Sequence, residues 1–115
     1  MYMVHHPKEP GSPEELPEWV SSLKTEQRMQ SYDLLTRKTA LRSAACAYIS
    51  NSKVRECIFK HKGDRCYICG KPADSIDHKI SVWKFVYHPD EFDYRRMNDY
   101  SNLFPMCMSC NSKYK

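Results

Sequence analysis

The chain has 115 residues, 41% of them hydrophobic, and a formal net charge of +4 at pH 7, which is the size and composition of one ordinary domain. No apolar run approaches the about 20 residues needed to cross a bilayer, and the opening stretch MYMVHHPKEPGSPEEL lacks the apolar core of a secretory signal. The expectation is an α+β protein in a reducing, cytoplasmic compartment with no membrane partner, where six cysteines read as metal ligands before disulfides.

Residues 1–17 hold four of the seven prolines, a density that opposes regular structure beyond a short capped turn at SPEE. They are expected to form a flexible arm that includes His5 and His6. Residues 18–62 are expected to be helical and basic. From Trp19 to Ile49 the apolar residues Leu34, Leu41, Ala45 and Tyr48, joined by Leu35 and Ile49, recur near helical spacing without Gly or Pro, which predicts a long helix broken near Thr25. SNS at 50–52 reads as a stop and a fresh N-cap, and Val54, Cys57 and Ile58 make the apolar face of a second helix that Gly63 ends. Cys46 and Cys57 read as small buried residues.

Charge is uneven along the chain. Residues 1–20 carry one Lys and four Glu, residues 21–62 carry nine Lys or Arg against three acids, and residues 63–115 carry eight against seven. A polyanionic partner would find its electrostatic handle on the middle helices, with Arg37, Lys38 and Arg42 as the DNA-contacting candidates. The plainer reading of such a run is a solvated helix face. The same helices are the expected homodimer element.

After Gly63 the sequence changes to short apolar pieces, turn residues and aromatics. RCYIC and SIDHKIS read as strands of a small hairpin, with Gly70 permitting a tight knuckle and NLFPMC returning as a further strand. The segment from Trp83 to Tyr100 has no clear period, and a connection of that length inside a compact unit is often functional. Its aromatics, Trp83, Phe85, Tyr87, Phe92 and Tyr94, read as cover for a thin core, with base stacking as the alternative. His88 reads as a loop residue beside Pro89.

Cys66 and Cys69 form one Cys-x-x-Cys pair and Cys107 and Cys110 a second, 37 residues further on. Each pair offers two thiolates from one tight turn, and two turns complete a tetrahedron at Zn2+. A redox role needs only one such pair and a βαβ context that is missing here. Asp77, His78, Asn102 and Asn111 fall between and beside the knuckles and would lie outside a filled zinc shell.

This order, Cys66 and Cys69, then Asp77-His78, then Asn102-Leu103, then Cys107, Cys110 and Asn111, resembles the HNH endonuclease pattern in its zinc-stapled form. Asn replaces His at the third signature position, as in phage Holliday-junction resolvases with a similar four-cysteine core. The resemblance covers about residues 54–113 and leaves the N-terminal half unmatched. It implies N-terminal helices followed by a zinc-stabilised ββα-metal core at 63–115, and a phage or mobile-element setting. His78 would be the general base, Asp77 and Asn111 would hold a divalent cation on the scissile phosphate of DNA, and Asn102 would pin the loop carrying His78. Apart from the resemblance, Lys113 and Lys115 read as phosphate contacts or as a solvated tail. The expected family products are a 5′-phosphate and a 3′-hydroxyl.

The chemistry is coherent apart from the family. An anionic phosphodiester needs a cation to offset developing charge and a base to deprotonate water, and histidine's ordinary pKa of about 6.5 suits the second task. A carboxylate with an amide oxygen is a hard, sparse ligand set that favours Mg2+ or Mn2+. Neighbours in a regular strand point to opposite faces, so Asp77 and His78 reach one phosphate only if the strand is distorted there. A distortion is expected. The sequence leaves about one turn for a helix after Cys110.

The competing function is a zinc-stabilised nucleic-acid-binding or protein-binding module without catalysis. In that case Asp77-His78 is a polar turn and Asn111 caps the following helix. A zinc deaminase would need His-x-Glu where this chain has HKI.

Overall fold

The computed structural model describes residues 2–113. Its elements in chain order are β1 (Met3–His6), β2 (Trp19–Ser22), α1 (Leu23–Met29), α2 (Leu34–Ser50), α3 (Ser52–Lys62), β3 (Ser75–His78), α4 (Val82–Tyr87), β4 (Leu103–Met106) and α5 (Met108–Lys113), with single 3-10 turns at Tyr94–Arg96 and Tyr100–Asn102. The architecture is α+β, with two separate two-stranded antiparallel sheets, β1 with β2 and β3 with β4. None of the described helices is long and apolar enough to cross a membrane.

The first 17 residues depart from the expectation of an arm without regular structure. β1 pairs with β2 in the register His6 to Trp19 and Met3 to Ser22, so residues 19–22 are strand instead of helix. The prolines sit in the connection, where their missing N–H groups interrupt no ladder. Leu16 is buried in the core. The Lys8 ammonium donates to the carbonyls of Pro13, Glu14 and Leu16 at 3.3, 3.0 and 2.9 Å, which holds the turn at 13–16 in place.

His6, expected in the arm, is instead buried and stacks on Trp19 with ring centroids 4.0 Å apart. It closes a polar knot around the buried Glu26 of α1. Ser21 Oγ donates to Glu26 Oε2 at 2.7 Å, Tyr94 Oη donates to Oε1 at 2.9 Å, and His6 Nε2 lies 3.2 Å from Oε2. The knot joins the hairpin, α1 and the C-terminal half, so removing its acceptor strands three polar partners. Glu26→Ala is expected to cost about 2–4 kcal/mol in urea unfolding, the scale for orphaning buried polar and charged groups. An unchanged midpoint would show that the knot contributes nothing net.

The expected long helix is broken at residues 30–33, later than Thr25. Gln30 caps α1, and Asp33 opens α2 by accepting from Thr36 N–H at 3.0 Å. The local reason is that Ser22, not Thr25, holds an N-cap: its Oγ accepts from Thr25 N–H at 3.1 Å and so starts α1 there. Leu41, Ala45 and Tyr48 face the core as the periodicity predicts, whereas Leu34 and Leu35 in the first turn are exposed. Cys57 is buried and Cys46 exposed, so only one of the two isolated cysteines is a core residue. Asn51 ends α2 and caps α3, accepting from Lys53 and Val54 N–H. Gly63, at φ +88°, ends α3, in a region costly for residues with a Cβ.

The hairpin of the C-terminal half is not RCYIC with SIDHKIS. β3 pairs with β4, Ser75 opposite Met106 through His78 opposite Leu103, while Arg65 bridges to Pro72 inside its own knuckle. The segment from Trp83 onward is also more regular than its pattern suggested. α4 sends Phe85 and Val86 into a core shared with Leu41, Ile58, Ile76, Met97 and Leu103, and Phe92 and Tyr94 pack against it.

Candidate functional site

Cys66, Cys69, Cys107 and Cys110 converge, with their sulfurs all within 4.8 Å of one another. The first pair sits in a knuckle closed by Cys66 N–H to Lys71 O at 2.7 Å and Gly70 N–H to Cys66 O at 2.9 Å, with Gly70 at φ +78°. The second opens α5, where Cys110 N–H donates to Cys107 Sγ at 3.4 Å. Cys69 Sγ and Cys107 Sγ are 3.5 Å apart, near the about 3.8 Å that zinc–sulfur bonds of about 2.3 Å impose in a tetrahedron.

The electrostatics of the cluster call for a cation. Burial works to raise the Cys66 pKa, but N–H groups of Cys107, Cys69 and Ile68 together with the Cys69 thiol outweigh it and bring it to about 6. Cys110 is pushed up to about 12, first by burial and then by the other three sulfurs. Four sulfurs this close cannot all ionise alone, and a divalent ion reverses that balance. The four residues fit zinc in number, spacing and donor type.

β3 begins beside this cluster, with Ser75 opposite Met106, the residue before Cys107. Asp77 is 3% exposed and its Oδ2 accepts from Tyr67 Oη at 2.9 Å. That contact, after burial, drives the Tyr67 phenol well above its ordinary pKa, so the hydroxyl stays a donor. His78 is 2% exposed, and its Nε2 donates to Asn98 Oδ1 at 2.8 Å. Asn98 was not singled out in the sequence because it lies in an aperiodic stretch. Its Nδ2 is buried without a hydrogen-bond partner among the described residues, a cost that functional sites tend to carry.

Asn102 holds the turn after β3. Its Oδ1 accepts from Ile80 N–H at 2.6 Å, and its Nδ2 donates to Ile80 O and Met97 O at 3.2 and 2.9 Å. Asn111 lies on α5, its N–H bonded to Cys107 O at 3.0 Å. Lys113 is the last residue of α5, but its side chain lies outside the described residues.

The expected strand distortion at Asp77-His78 is not observed. The β3–β4 register runs unbroken through both residues, and neighbours in a regular strand alternate between its faces. Two groups of three or more ligating Cys, His, Asp or Glu occur among the described residues, the cysteine quartet and Glu15, Cys57 and His61. Asp77 and His78 belong to neither.

The three basic candidates on α2 divide. Arg37 is spent internally, with Nε donating to Val86 O at 2.9 Å and Nη1 to Ser31 O at 2.8 Å. Lys38 and Arg42, one turn apart, flank the Trp83 ring at 5.2 and 5.4 Å from its centroid. Trp83 and its neighbour Tyr87 are 39% and 50% exposed. Two cations and two exposed rings therefore share one strip of surface. Lys62 and Arg55 are also used internally, donating to the carbonyls of Tyr100 and Leu103 and of Asp74.

Comparison with family models, with curated proteins and with solved structures finds no match to this chain.

Proposed function

We propose that the chain is a metal-dependent HNH-type endonuclease that hydrolyses phosphodiester bonds in DNA, with His78 as the general base. The observation that supports this reading is the order of the elements that carry the signature residues. β3 with Asp77-His78 pairs with β4, α4 lies between them in the chain, and α5 with Asn111 follows β4; the cysteine quartet sits where β4 runs into α5, and Asn102 clasps the turn that leaves His78. The bond from His78 Nε2 to Asn98 orients the ring, which makes Asn98 the positioning residue of the proposed base. Asp77 and Asn111 are the proposed oxygen donors for Mg2+ or Mn2+, which would offset charge on the scissile phosphate.

One observation favours the second reading, a zinc-stabilised DNA-binding module without catalysis. Asp77 and His78 are almost fully covered and belong to opposite faces of a regular strand. Incubating the purified chain with supercoiled plasmid and Mg2+ or Mn2+, against a chelator control, separates the two. Nicked or linear product that depends on the cation supports the nuclease; DNA retardation without product supports the module.

Both readings place DNA on the strip formed by Lys38, Arg42, Trp83 and Tyr87. Lys38→Glu with Arg42→Glu is expected to weaken binding to all sequences alike and to lower the salt slope by about one for each phosphate no longer neutralised. Arg37→Ala is expected to lower stability instead. Undiminished affinity of the double variant in a salt titration would move the interface elsewhere.

A further inference from the structure

A second ligand cluster lies apart from the cysteine quartet. Cys57 and His61 stand one turn apart on the same face of α3, and Glu15 reaches them from the turn at 13–16. One ligand atom of each lies within 4.8 Å of the other two, and His61 Nε2 is hydrogen-bonded to Glu15 Oε1. Glu15 is placed by its backbone: Leu16 beside it is 3% exposed in the core, and its N–H donates to Pro13 O at 3.1 Å. The carbonyls around it are gathered by Lys8. Cys57, at 3% exposure, forms the floor.

We propose that Glu15, Cys57 and His61 bind one divalent ion of the zinc class, with a fourth position open to water. A thiolate, an imidazole and a carboxylate are the three side-chain donor types zinc takes, and the two anionic ligands balance the charge of the ion. A soft sulfur in the set argues against Mg2+ or Ca2+. The ion would replace the hydrogen bond between His61 and Glu15 and join the N-terminal segment to α3. Lys60 Nζ, 3.5 Å from the same Glu15 oxygen, has a side chain 72% exposed and is free to swing into solvent.

The test counts metal in the full-length chain after equilibration with excess zinc and gel filtration. The expected result is one ion fewer per chain in His61→Gln and in Cys57→Ser than in the unaltered protein, two falling to one when the quartet is also filled. Cobalt substitution gives a second readout: the thiolate-to-cobalt absorption should fall in Cys57→Ser by the share of one sulfur. Circular dichroism identifies a variant that has unfolded; His61→Gln, at a half-exposed position, keeps the test decisive if Cys57→Ser fails to fold. An unaltered metal count and cobalt spectrum in folded His61→Gln would overturn the proposal. The comparison is independent of the nuclease reading, since no DNA is involved.

Discussion

Cys107→Ser is expected to release the bound zinc and unfold at least the C-terminal half. Among the described residues the buried cluster at the quartet adds Met106 to Cys66, Cys107 and Cys110, too little apolar material to hold two knuckles and α5 together without the ion. A structural zinc supplies on the order of 10–16 kcal/mol of apparent binding free energy at neutral pH, comparable to the whole 5–15 kcal/mol stability typical of a domain. Far-ultraviolet dichroism and metal analysis should therefore change together, in the variant and on strong chelation of the unaltered chain. Soluble, folded protein without zinc would refute the assignment. Because β4 runs directly into Cys107, the loss should also disturb β3 and the bonds of Asp77 and His78.

His78→Ala is expected to abolish cleavage, by on the order of a hundredfold or more, the usual contribution of a general base. Zinc content and DNA affinity should stay nearly unchanged, because a base acts on the attacking water in the transition state more than on bound DNA. The structure adds a control. His78 is 2% exposed and bonded to Asn98, so Ala opens a cavity and orphans an amide oxygen, at a stability cost of about 1–3 kcal/mol. His78→Gln keeps bulk and should be equally inactive while closer to full stability. Asn98→Ala should reduce the rate less and alter its pH profile, because it frees the ring to turn without removing it. Cleavage undiminished in folded His78→Ala across pH would refute His78 as the base and, with it, the HNH reading of this chain.

Much of the local structure was legible in residues with one strong local role. Asn51 can cap a helix with its side chain, Gly63 and Gly70 can adopt positive φ, and each does so where the sequence placed it. The pairing of Leu41, Ala45 and Tyr48 on one face of α2 follows from helical period alone. The errors share a different origin. Strand pairing differs from the expectation because Cys66 N–H bonds to Lys71 O inside the knuckle and Tyr67 N–H to Pro105 O of β4, so that β3 pairs with β4 and not with the knuckle. Residues 1–17 were misjudged because proline density describes local preference, whereas the Glu26 knot and the packing of Leu16 come from residues distant in the chain.

By itself, the sequence determined the donor set: two Cys-x-x-Cys turns offer four sulfurs suited to one soft ion where the fold brings them together, since each turn's spacing is set by a few adjacent bonds. It also determined the order Asp77-His78, Asn102, Asn111, from which the nuclease proposal starts. Only the tertiary structure decided that Arg37 and Lys62 are internal struts while Lys38 and Arg42 remain on the surface, that Asn98 is the partner of His78, and that Glu15 meets Cys57 and His61. Those outcomes depend on which distant elements pack together, and the core that sets this packing is contributed jointly by the helices, β3 and β4. Charge and residue type are local properties, but burial and partnership are properties of the whole fold.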